Sequence, residues 1–91
     1  ESNHDIAMLK NGRYPPRLKE RILSEHGHLS NDDCAAFLPY LAENGTTEII
    51  LGHLSEENNT PDIALALSQK ALRDAGFPEV CLRIAPRSVL I

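Results

Sequence analysis

Ile49-Ile50-Leu51-Gly52-His53-Leu54-Ser55-Glu56-Glu57-Asn58-Asn59-Thr60-Pro61 is the stretch from which the rest of the 91-residue chain is read. An apolar run stops at Gly52-His53 and a polar loop follows. Thr60-Pro61 then carries the signature of a helix start, a capping oxygen followed by a proline suited to the first helical position. A short Ile/Leu run bounded by turn residues reads as a strand buried on both faces, here Thr47 to Leu51. Parallel sheets gather their ligand chemistry beyond the carboxyl ends of the strands, which is where His53 stands. A neutral imidazole there is suited to Zn²⁺, Mn²⁺ or Fe. The helix start at Thr60 favours an anion nearby, such as a substrate phosphate. The competing reading of His53 is a surface or hydrogen-bonded ring.

Downstream, the spacing predicts a helix with an apolar side of Ala64, Leu67, Ala71 and Ala75, stopped by Gly76. Phe77-Pro78 turns the chain into a second strand, Val80 to Ala85, which Pro86 ends; Ser88 to Ile91 reads as a short edge strand or a tail. Strand, helix, strand makes a βαβ unit with parallel strands and a right-handed crossover. Upstream, Asp5 caps a short helix over Ile6 to Lys10 that Asn11-Gly12 stops, and Arg13-Tyr14-Pro15-Pro16 is a rigid link. A helix from Arg17 to Glu25 turns Leu18, Ile22 and Leu23 inward. Ser30, with Asp33 three residues on, opens another that buries Ala36, Phe37, Tyr40 and Leu41 and ends before Asn44-Gly45, with Pro39 kinking or shortening it. The fold class is therefore α/β, helices followed by a βαβ unit. One tetrapeptide, Gly-His-Leu-Ser, occurs twice, at Gly27–Ser30 and Gly52–Ser55.

A net charge of −4 and a pI near 5.5 give no general attraction to nucleic acid or anionic lipid. The basic residues are nevertheless unevenly spread. Lys10, Arg13, Arg17, Lys19 and Arg21 form one group, which either meets a phosphate backbone or is a solvated helix face. Cys34 and Cys81 lack metal-type spacing and read as buried free thiols in a reducing cytosol, which places the chain in the cytoplasm. No apolar run approaches a membrane span.

Among the other histidines, His28 sits in a tight link between helices. Charged and oriented by Glu1, it can protonate a leaving oxygen; otherwise it caps the preceding helix. His26 and His28 form a His-x-His pair, weak evidence for a metal. His4 and Asp5 are either further ligands or simply solvated. Asn58-Asn59 reads as turn residues, and Glu56 and Glu57 as loop acids. No nucleophile elbow surrounds either serine of the repeated tetrapeptide.

Taken together, Glu1-Ser-Asn-His-Asp5, Met8-Leu9-Lys10-Asn11-Gly12-x-Tyr14-Pro15, Leu18-Lys19-x-Arg21-Ile22-Leu23, Gly27-His28-Leu29-Ser30-Asn31 and His53 to Pro61 closely resemble the metallo-β-lactamase-fold hydrolases of the YycJ/VicX type. The resemblance implies a four-layer αβ/βα sandwich of which these residues form the C-terminal half, with one or two divalent ions, Zn or Mn, at the sheet edges. It implies that His53 is the last metal-ligating histidine, and that Glu1 and His28 are a pair supporting proton delivery to the leaving group. Bacterial proteins of this branch are described as metal-dependent nucleases, 5′-to-3′ exonucleases on DNA.

The signature His-x-His-x-Asp-His, the next ligating His and the bridging Asp have no counterpart in this sequence, and one imidazole does not hold a catalytic metal. The expectation is thus a single partial domain over 1–91 whose N-terminal metal-motif half is absent. Such a chain would be catalytically silent alone, would hold no metal of its own, and would pair with that missing half or with itself through exposed sheet edge. The alternative is a non-catalytic α/β module that binds a protein partner, with structural histidines.

Overall fold

Three of the four described helices begin where the sequence supplies a side-chain cap, and the second begins at a proline. In the computed structural model, which describes residues 1–24 and 27–86, the Asp5 carboxylate accepts the Met8 N–H at 2.9 Å and starts α1 (Ile6–Asn11). Pro16 opens α2 (Pro16–Leu23) behind the rigid Pro15. Ser30 Oγ accepts the Asp33 N–H to start α3 (Asn31–Glu43), and Thr60 Oγ1 accepts the Ile63 N–H to start α4 (Pro61–Asp74). Gly76, at φ +91°, takes the left-handed conformation that closes α4, as its sequence position predicts. Between and after these helices lie β1 (Glu48–Leu51) and β2 (Cys81–Ile84). The strands pair in parallel, Glu48 opposite Cys81 through Leu51 opposite Ile84, with α4 as the crossover. The α/β reading and the βαβ order are as expected. His26, the end of the second helix at Glu25, and the segment Ser88 to Ile91 lie outside the described residues.

Burial corrects several expectations. β1 is covered on one face, not two: Ile49 and Leu51 are buried, whereas Glu48 is exposed and Ile50 is 59% exposed. The inward face packs on Cys34, Leu38 and Ala42 of α3 and on Ala64 and Leu72 of α4, and these residues are the core. On the outward face Arg83 pairs with Glu48, a diagonal cross-strand ion pair.

The inward side of α3 is Cys34, Ala35, Leu38 and Ala42, one stripe at spacings of three and four. Phe37 and Tyr40, expected inside, are 52% and 58% exposed and stack on each other at 5.4 Å. Ala36 is exposed too, and α3 runs through Pro39 for its full 13 residues. On α4 the buried residues are Ala64, Ser68 and Leu72; Leu67 and Ala71 are half-buried and Ala75 is exposed. Leu18 and Leu23 of α2 are 38% and 42% exposed, leaving Ile22 as its buried anchor. Cys34 is buried as expected, but Cys81 is exposed because it lies on the uncovered side of β2. No described helix is long and apolar enough to cross a membrane.

Candidate functional site

The two copies of Gly-His-Leu-Ser lie on either side of the chain's first residues. Ser2 N–H donates to Gly52 O at 3.0 Å, and Asn3 N–H to Leu29 O at 2.9 Å. Asn3 O then accepts the Ser55 N–H at 2.7 Å, and His4 O accepts the Asn31 N–H at 2.8 Å. In both copies the serine does the same work three residues downstream: Ser30 Oγ takes the Asp33 N–H, and Ser55 Oγ takes the Asn58 N–H, each at 3.1 Å. The repeated tetrapeptide is therefore a repeated local device, a histidine held just ahead of a serine-capped turn. One copy opens α3 and the other follows β1, so the two rings converge on the segment running between them.

What they converge on is Glu1. Its Oε2 lies 2.9 Å from His28 Nδ1 and 3.0 Å from His53 Nδ1, while Oε1 accepts the Leu29 N–H at 2.7 Å. The two rings stand edge to face with centroids 6.4 Å apart. A carboxylate that accepts from both imidazoles assigns the proton of each neutral ring to Nδ1 and leaves Nε2 as the free nitrogen. The Glu1 side chain is 26% exposed, those of His28 and His53 49% and 77%. Partial burial opposes the charge on Glu1, but the Leu29 N–H and then the two imidazoles outweigh it, holding its pKa at about 2, down from 4.5. Glu1 is thus a carboxylate throughout the neutral range.

His53 is placed by an unusual backbone. At φ +59° it is left-handed, a region that non-glycine residues seldom occupy. The Asn3 side-chain amide donates to its carbonyl at 2.7 Å and fastens that turn. Gly27 is required for a different reason: a Cβ there would stand 2.3 Å from Ile22 O and 2.4 Å from Arg21 O, whereas one at Gly52 would meet nothing within 4 Å. Beside Glu1 and His28 an open depression of about 370 Å³ is walled by Ile6, Leu23, Leu29 and Asp33.

The remaining expected residues fall elsewhere. Asp5 is the α1 cap, which occupies its carboxylate, and it takes no part in the cluster. His4 is 1% exposed; its Nδ1 faces Asn3 Oδ1 at 3.2 Å and its Nε2 is buried without a partner. Burial chiefly, and then the neighbouring His28, lowers its pKa from 6.5, so it is a neutral interior residue rather than a solvated one. In the basic group, Arg13 pairs with Glu57 at 3.1 Å, so Glu57 is not a free loop acid, and Lys19 Nζ donates to Lys10 O at 2.8 Å. Lys10, Arg17 and Arg21 are exposed.

Sequence reasoning missed the asparagines. Asn58 and Asn59 are each 2% exposed, not surface turn residues, and Asn31 is 1% exposed. Their position ahead of an N-cap threonine and just after an N-cap serine was the available signal.

Three donor atoms, from Glu1, His28 and His53, lie within 4.8 Å of one another and are, among the described residues, the one grouping of three or more His, Cys, Asp or Glu able to hold a metal ion. Fold and site together define an α/β unit that presents a carboxylate and two imidazoles at the carboxyl end of a parallel strand. Among proteins of known function, the chain is 47% identical over 78 residues to Exodeoxyribonuclease WalJ of Streptococcus pneumoniae serotype 2 (strain D39 / NCTC 7466). It is 43% identical over 77 residues to Exodeoxyribonuclease YycJ of Bacillus anthracis. These matches cover 84% and 85% of the chain, which spans 29% of the length of each relative. The resemblance carried by the motifs is borne out: the chain is homologous to a segment of the YycJ/VicX-type proteins. No family model matches it. No solved structure matches it either.

Proposed function

We propose that the chain is the C-terminal portion of a metallo-β-lactamase-fold phosphodiesterase which, in the intact protein, cleaves DNA with the help of divalent metal. The observation that carries this reading is the Glu1 oxygen shared by two imidazoles. The exodeoxyribonuclease names of the relatives support it. His53 fits a metal: a neutral imidazole whose Nδ1 is held by a carboxylate keeps Nε2 free, and Zn²⁺ is commonly ligated through that atom. His53 would hold the ion together with histidine and aspartate ligands of the intact protein. Such an ion, or a pair, would supply an activated water and offset charge on the phosphate.

The chain's own residues manage the proton. Glu1 orients His28 through Nδ1 and stabilises its imidazolium, so that Nε2–H is available to the leaving oxygen. Leu29 N–H fixes the other Glu1 oxygen and keeps the carboxylate from swinging away. The exposed Lys10, Arg17 and Arg21 are offered to the phosphate backbone, and Arg13 and Lys19 join them by exchanging their present contacts. Lacking the other ligands, the 91 residues alone leave DNA uncut.

The test is His28→Ala in the intact protein. Loss of a general acid slows DNA cleavage by about 10²–10⁴-fold. Hydrolysis of a p-nitrophenyl phosphodiester, whose leaving group departs without a proton, falls far less. Equal losses on both substrates would remove His28 from the acid's role.

A further inference from the structure

We infer that Asn59 is a positioning residue for the Glu1–His28–His53 cluster, acting through Asn31 and the backbone of Ser2 and Asn3. The inference rests on reading that cluster as the chemical site. Residues 1 to 5 belong to neither strand; their ladder contact is a single bridge, His4 with Ser30. Besides their backbone hydrogen bonds to Leu29, Asn31, Gly52, Ser55 and Asn58, they are held by a buried amide clamp. Asn59 Nδ2 lies 3.0 Å from each of Ser2 O, Asn3 O and Asn31 Oδ1. Asn59 Oδ1 accepts from Asn31 Nδ2 at 2.8 Å and from Thr60 N–H at 2.9 Å. Asn31 Oδ1 also accepts the Ser2 hydroxyl at 2.6 Å.

Ser2, Asn31 and Asn59 are all buried to 2% exposure or less, and buried amides keep a geometry only when their partners are in place. The reciprocal pair sits where two helices begin: Asn31 is the first residue of α3, and Asn59 precedes the cap of α4. Two helix starts and the initial segment are thus fastened at one point. Ser2 is covalently next to Glu1, while the Asn3 amide holds the left-handed turn of His53. A displacement at Asn59 therefore moves both the shared carboxylate and one of the two rings that it orients.

Asn59→Asp is the sharp perturbation. It keeps the shape and the acceptor facing Thr60, but it aims an oxygen at three acceptors that now share the two hydrogens of the amide. The readout is the imidazole tautomer, seen in the ¹⁵N shifts of His28 and His53 in the full chain labelled at histidine. The wild type holds both rings as Nδ1–H; Asn59→Asp gives mixed tautomers at both. Leu72→Ala, a core truncation outside the clamp, serves as the control and keeps both rings as Nδ1–H even with a comparable fall in melting temperature. Ser2→Ala, which removes one hydroxyl contact, gives a partial effect in a protein that still folds.

In the intact protein, Asn59→Asp lowers kcat/KM for DNA by about 10–100-fold, the usual effect of losing an outer orienting partner, and moves the pH profile, while Leu72→Ala does neither. Unchanged tautomers in both Asn59→Asp and Ser2→Ala overturn the inference, as does an equal loss in Leu72→Ala. An intact protein without nuclease activity would sink the functional reading instead, and the tautomer experiment would stand apart from it.

Discussion

Replacing Glu1 by glutamine separates the charge of the central carboxylate from its shape. Glutamine keeps one oxygen, enough for either the Leu29 N–H or the imidazoles, and puts an N–H₂ where the other oxygen was. A hydrogen bond to an ionised acceptor contributes about 1.5–3 kcal/mol in a protected setting, and this site is partly open to water, which scales the loss to about 1–2 kcal/mol. The folded pKa of about 2 lies below the ordinary value of 4.5, so the carboxylate's contribution is complete above pH 4.5 and disappears as pH falls toward 2. Urea denaturation of both proteins at a series of pH values is the assay. The wild type exceeds Glu1→Gln by about 1–2 kcal/mol at pH 7, and the gap closes between pH 4.5 and 2.

His4 contributes its own acid sensitivity. Its folded pKa is lowered, so below 6.5 the unfolded chain takes up a proton that the folded chain resists, and stability falls. Burial, the larger cause, acts in both proteins, whereas the Glu1 charge raises the His4 pKa in the wild type alone, so the comparison is read between pH 4.5 and 2, where the Glu1 carboxylate itself titrates. A gap of the same size at pH 2 and pH 7, or none at pH 7, would refute the charge argument.

Two further outcomes follow from the packing. Gly27→Ala drives a Cβ into the last carbonyls of α2 and lowers stability by about 1–3 kcal/mol in a thermal melt, whereas Gly52→Ala stays within about 1 kcal/mol of wild type because nothing lies in the way; similar effects at the two glycines would contradict the placement of the Gly27–Ser30 loop. The uncovered side of β1, with Ile50 exposed, predicts concentration-dependent self-association in sedimentation that Ile50→Lys reduces; a clean monomer at all concentrations would exclude it.

Local signals were legible in the sequence, and relative phase was not. Asp5, Ser30, Thr60 and Gly76 act within one turn of chain, so their residue types alone predict helix ends that the structure reproduces. Glu1, His28 and His53 were each singled out, Glu1 and His28 together, and they meet because both Gly-His-Leu-Ser segments hydrogen-bond to residues 2–3. The inward side of α3 was misjudged since Phe37 and Tyr40 are its largest apolar residues, yet the helix's rotation is set by the docking of Ser30 and Asn31 against His4 and Ser2. The same tertiary contact buries Asn31, and through it Asn59, which was read as a turn residue. β1 reads as doubly buried from composition, but Ile50 faces outward because the helices cover only the other side.

The proposed nuclease chemistry requires His53 to grip a divalent ion in the intact protein. Metal content and DNA cleavage measured together on intact wild type and His53→Ala test this most directly. Bound Zn or Mn with nuclease activity is expected in the wild type, and loss of both in the variant. A variant that retains its metal and its cleavage would contradict it.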